Sequence, residues 1–129
     1  CSSIRAARIR SDAVRRTPGA VRDAINAELS AARTASTPDA RWRHFERAHI
    51  LSQPWAIAHV GVHARMLVQA VRQHDRHEAV GQLVRLIVAA PGSLSGRYPG
   101  GNTGRSSVRL MTPMPVPADL EAVLASTRS

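Results

Sequence analysis

No lysine occurs in this chain of 129 residues, so all 18 basic side chains are arginine. Such exclusivity points to coding bias rather than to selection for one ligand. The single cysteine, Cys1, excludes an intrachain disulfide and agrees with a reducing compartment. No apolar run approaches the roughly 18 residues that a membrane span requires, and no apolar segment follows the N-terminal arginines as a secretory signal would. These absences give the expectation of a cytoplasmic protein with no membrane partner. Aromatic residues are also scarce: Trp42, Phe45, Trp55 and Tyr98 are the whole set. The core must therefore be built from Ala, Val, Leu and Ile, which suits closely packed helices.

The formal net charge is +9. Residues 1–16 hold five arginines against Asp12, and read as a basic flexible tail preceding a single helical domain over residues 17–129. Charge of this sign gives weak, salt-sensitive attraction to nucleic acid. Nothing in the chain reads bases, because no recognition motif and no interleaved aromatics accompany the arginines.

Punctuation and periodicity predict an all-α fold. Thr17-Pro18 is a cap followed by proline at the first helical position, and opens a helix through about Ala35. Thr37-Pro38 repeats the device and opens a second through about Gln53. After the break at Pro54, Trp55 to about Gln73 forms a third. A fourth follows His74-Asp75 and is expected to stop at Pro91-Gly92, near Ala90. Short connections predict four antiparallel helices arranged as two hairpins. The glycine-rich residues 92–116 then form an extended C-terminal arm, expected to lie across the bundle and bury Leu110, Met111 and Met114. A short closing helix begins at Pro117 and presents Leu120 and Leu124 inward.

Three of these helices carry polar residues on stripes that otherwise look like core. At about 100° per residue, the first groups Val21, Ala24, Ile25, Glu28, Ala31, Ala32 and Ala35. On the second, Trp42, Phe45, Glu46, His49 and Gln53 share a face, with Glu46 and His49 in the Glu-x-x-His spacing. On the third, His59 and His63 stand one turn apart among Val62, Met66 and Ala70. A carboxylate on an apolar face costs several kcal/mol unless it is paired or bound to a cation. Glu28, Glu46, His49, His59 and His63 are therefore the candidate metal ligands, for zinc, iron or manganese. A purely structural polar network would satisfy the same stripes. On the fourth helix, Glu78, Gln82 and Arg85 group opposite Leu83, Ile87 and Ala90, and read as a solvated face. His44, His74 and His77 read as surface residues.

Gly100-Gly-Asn-Thr-Gly104 lacks the Gly-Lys-Ser/Thr ending of a phosphate loop and follows no strand, so it reads as a tight turn and no nucleotide cofactor is expected. No Ser/His/Asp arrangement and no reactive cysteine environment is legible, which leaves enzymatic activity undecided.

Phe45-Glu-Arg-Ala-His49, His59-Val-Gly-Val-His63, Gly81-Gln82 with Arg85, Gly101-Asn-Thr-Gly104 and Met114-Pro-Val-Pro117 together resemble the small bacterial proteins of the domain-of-unknown-function family 3703, over most of residues 20–125. That resemblance implies one compact domain and draws attention to His49, His59 and His63, but brings no activity with it. Phe45-Glu-Arg-Ala48 with a nearby proline also resembles a tetratricopeptide hairpin. The alternative it implies is a protein or peptide interaction module with a purely structural polar core.

Overall fold

In the computed structural model, residues 16–128 are described, and their regular secondary structure is helical, with no strand among them. Apart from Arg16, the basic segment 1–16 lies outside the described residues. Five helices follow in order: α1 (Gly19–Thr34), α2 (Pro38–Ser52), α3 (Ala56–Arg72), α4 (Arg76–Ser95) and α5 (Ala118–Ala125). α1 packs chiefly on α2, α3 on α4, and α2 joins the two pairs through α3. No helix among the described residues is long and apolar enough to cross a membrane.

Two helices start on a side-chain cap, and α1, α3 and α5 start without one. The Thr37 hydroxyl accepts from the Ala40 amide at 3.2 Å, with Pro38 at the first helical position. The Asp75 carboxylate accepts from the Glu78 amide at 3.0 Å in the same way at α4. At α1 the expected Thr17 cap is not used: Pro18 itself occupies the cap position and no side chain bonds the first turn. Thr37→Ala is expected to cost about 1 kcal/mol by loss of its capping bond, measurable by urea denaturation. An unchanged midpoint would show that solvent replaces the bond without loss.

The core lies between α1, α2, α3 and α5. Val21, Ile25, Leu29 and Ala32 of α1 meet Trp42, Phe45, Ala48 and Leu51 of α2, with Met66 and Ala70 of α3 and Leu120 and Leu124 of α5 closing it. Trp42 stands edge-on to Phe45 at 5.8 Å and donates its indole N–H to the Gln73 side-chain oxygen at 2.6 Å. The indole is thus buried with its polar atom satisfied.

α4 corrects the sequence reading most. It runs through Pro91 to Ser95 rather than ending near Ala90. Pro91 removes one helical hydrogen bond and frees the carbonyl four residues back, on Ile87. Both residues are exposed, which puts the break on the solvent side of the helix. The helix ends instead at Gly96, whose φ of 70° permits the left-handed turn, with Arg97 N–H bonded to the Gly92 carbonyl at 2.9 Å. The faces are also reversed. Glu78, Gln82 and Arg85 are buried, while Leu83 and Ile87 stand in solvent. The expected burial of Leu110 and Met111 is likewise overturned, since both are exposed. Here the 105–112 segment is held by polar bonds, with Asn102 donating to the Arg109 and Thr112 carbonyls and Arg85 to that of Val108.

Candidate metal centre

α2 contributes His49 and α3 contributes His59 and His63, one turn apart and facing α2. All three are buried. Their Nε2 atoms converge: His49 Nε2 lies 3.0 Å from each of the other two, which are 3.2 Å from one another. Three imidazoles meeting tip to tip without a carboxylate among them constitute a group able to hold a metal ion.

The opposite nitrogens decide the protonation state. His49 Nδ1 lies 2.7 Å from the Asn102 backbone carbonyl, which can only accept. His63 Nδ1 lies 2.7 Å from the Gln82 side-chain oxygen. That amide is fixed in orientation, because its nitrogen donates to Glu78 Oε1 at 2.7 Å and to the Gly104 carbonyl at 2.8 Å. His59 Nδ1 lies 2.9 Å from Ser93 Oγ, whose hydrogen goes to the Gln53 carbonyl at 2.6 Å. Each Nδ1 therefore carries the proton and donates it, leaving each Nε2 with a lone pair. Three lone pairs then face one another at about the closest approach nitrogen atoms make. Nothing in that arrangement attracts until a cation enters it.

Protonation is a poor substitute for the cation. Burial depresses all three histidines. His49 is held well below the usual imidazole range by burial and then by His63 and His59. Burial and His63 bring His59 down to about 3. Burial, helped by the Arg85 guanidinium and opposed by the Gln82 hydrogen bond, brings His63 to about 4. The cluster is consequently neutral at pH 7, the form that ligates metal.

The other two candidate carboxylates are not in this group. Glu28 receives Arg47 Nε at 2.8 Å and His44 Nδ1 at 2.7 Å, and Arg47 also bonds Asp119. A one-residue offset explains this: Leu29, not Glu28, points to the core, and Glu28 sits at the edge of the α1–α2 contact. Glu46 lies 3.4 Å from Arg105 Nη1, and burial raises its pKa against the pull of that arginine. The same guanidinium stacks 4.0 Å above Trp42 and lies 3.3 Å from Glu78.

Residues read as surface or turn do the supporting work. Gln82 and Glu78 form a buried chain behind His63, and Glu78 also receives the Ser106 amide at 3.1 Å. Gly101-Asn-Thr-Gly104 is more than a turn: Asn102 is buried, its carbonyl orients His49, and Gly104 presses against the His49 ring. One sequence signal pointed there: an Asn between glycines is suited to side-chain-to-backbone bonds, and Asn102 Oδ1 indeed accepts from the Gly104 amide at 2.9 Å. A cavity of about 300 Å³ opens from the three histidines, lined also by Val88, Leu110, Met111, Arg85 and Arg97. None of the described residues lining it is acidic.

No curated protein and no solved structure matches the chain. The family described as "Protein of unknown function (DUF3703)" matches residues 19–124, and its match spans α1 through all but the last residue of α5. The chain carrying this three-histidine cluster belongs to that family.

Proposed function

We propose that the protein binds one divalent transition-metal ion through His49, His59 and His63, with zinc the best-fitting ion, and that the remaining coordination positions face the cavity. One observation carries this reading: three Nε2 lone pairs converge within 3.2 Å while every Nδ1 is committed to an acceptor. Orientation of each ligand through its distal nitrogen is how metal-binding histidines are generally held. With metal–nitrogen bonds of about 2.1 Å, these separations subtend angles of roughly 90–100°. All ligands then lie on one side of the ion. Imidazole nitrogen suits zinc better than manganese, which prefers oxygen donors, and the carboxylate of a facial iron triad is absent from the group.

Three neutral ligands leave the charge of a dication uncompensated among the ligands, and the only charged side chains lining the cavity besides the histidines are Arg85 and Arg97. The fourth ligand is therefore an anion, whether hydroxide formed from bound water or a small oxyanion entering from the cavity. Zinc held by three neutral imidazoles lowers the pKa of its water to about 7. The chemistry this supports is activation of water, or capture of a small anion, at a partly enclosed zinc ion.

Protein stripped with chelator and dialysed against zinc should retain about one equivalent by elemental analysis, and melt higher than the stripped form. Cobalt(II) should give the visible bands of a low-symmetry nitrogen-ligated site. Replacing His59 and His63 together by Ala should abolish all three effects, and replacing the exposed His74 and His77 should abolish none. If the wild type keeps no metal and its melting temperature ignores added zinc, the cluster is a structural polar network instead.

A further inference from the structure

α4 buries a largely polar face and exposes an apolar one, and α3 exposes an apolar stripe beside it. On α4 the buried set is Glu78, Gln82, Arg85, Ala89 and Ser93, while Val80, Val84, Ile87 and Leu94 are exposed. On α3, Ile57, Val68 and Val71 are exposed, Ile57 by 89%. The spacing of these residues is the same on both helices. Ile57, Gly61, Ala64, Val68 and Val71 recur at intervals of four, three, four and three, and so do Val80, Val84, Ile87, Pro91 and Leu94. That alternation is the seam repeat of helices packed side by side along their length. No charged residue occupies any of these ten positions.

We propose that the outer seams of α3 and α4 dock on the same seams of a second copy of this chain, giving a two-fold symmetric four-helix bundle. The area favours this occupant. The Val, Leu and Ile residues of the two seams expose roughly 700 Å², within the range of about 600–1,000 Å² that each partner contributes to a standard-size interface. Monomeric proteins rarely expose apolar patches beyond a few hundred Å². The seam is also self-complementary, since a stripe of aliphatic side chains with one repeat on both helices needs no different partner surface to interlock. The seams stand about 200° around each helix from the buried faces, and of the ten seam positions Pro91 alone also lines the cavity below the histidines.

The protein as a whole, metal-loaded, should sediment and elute with the mass of a dimer at micromolar concentration. High salt should strengthen the dimer, because it screens repulsion between two chains of charge +9 and leaves apolar contact intact. Ile87→Glu combined with Val84→Glu should weaken the dimer on the order of a hundredfold, with helical content and bound zinc unchanged because both side chains are exposed in the single chain. Met111→Glu, exposed but off both helices, should leave the dimer intact. A monomeric wild type overturns the proposal. So does a monomer that dimerises only after residues 1–15 are removed, which would assign the face to that segment, and so does a monomer that floats with phospholipid vesicles through Ile87. An assembly larger than two also overturns it, since a two-fold contact closes on itself.

Discussion

Gly104→Ala is expected to disrupt the three-histidine cluster, with loss of the zinc binding proposed for it, and to destabilise the protein by about 2–5 kcal/mol, although residue 104 has no side chain of its own in the cluster. Two costs add. Gly104 has a φ of 79°, where a side chain costs roughly 1–2 kcal/mol. A Cβ there would lie 2.7 Å from His49 Cδ2 and 2.9 Å from its Nε2. The imidazole cannot move aside freely, because its Nδ1 is bonded to the Asn102 carbonyl two residues before the glycine. Overpacking a site so confined costs about 1–3 kcal/mol. If His49 yields, its Nε2 leaves the position facing His59 and His63, and metal affinity falls with it. Gly100→Ala is the control, since no atom lies near its Cβ position and its φ is not positive. Chemical denaturation and elemental analysis of the two variants check the expectation. Equal zinc retention in both would mean that the His49 ring is not held by the loop in the way described.

The loop shows why part of the site was hidden in the sequence. Periodicity placed His49, His59 and His63 on inward stripes of two helices, and that is where they are, because burial along a regular helix repeats at a known angle. It could not distinguish Glu28 from Leu29. Those residues stand 100° apart at the margin of the stripe, and the choice between them is made by Arg47 and His44 waiting on α2. α4 misled for a more general reason. Periodicity gives two faces, and the usual assumption that the apolar one turns inward fails when a helix must supply hydrogen bonds to buried histidines. Glu78, Gln82 and Ser93 face inward because His63, His59 and the Gly104 backbone need partners there. The Gly101–Gly104 loop gave only its turn chemistry. That it reaches back across more than fifty residues to orient His49 depends on tertiary placement alone.

In the metal-free protein, stability is expected to fall steeply as the pH drops below about 6.5. In the unfolded chain each histidine takes up a proton near its ordinary value of about 6.5. In the folded chain His63 does so only near 4 and His59 near 3, with His49 also well below its usual range. Folded values below unfolded ones mean that the unfolded state binds more protons throughout the window from 6.5 down to 4. Acid therefore favours unfolding, and above 6.5 the effect vanishes because both states are neutral. Two such histidines give a slope of about 2.7 kcal/mol per pH unit once below 6.5. Over two pH units this amounts to roughly 5 kcal/mol, as large as the whole stability of many domains. The metal-free protein should thus unfold in mild acid at ordinary temperature. Bound zinc should raise the melting temperature by a similar increment from pH 7 down to about 5 and lose its effect only as the pH approaches 4, where protons begin to compete for the Nε2 lone pairs of the folded cluster. Replacing His59 and His63 together by Gln should flatten the acid dependence even if stability at pH 7 falls, because two of the responsible sites no longer titrate. Melting curves across pH 4–8, with and without zinc, measure all of this. If the double variant keeps the steep acid dependence of the wild type, the protons that unfold the protein go to other groups and the three-histidine cluster is not its acid-labile point.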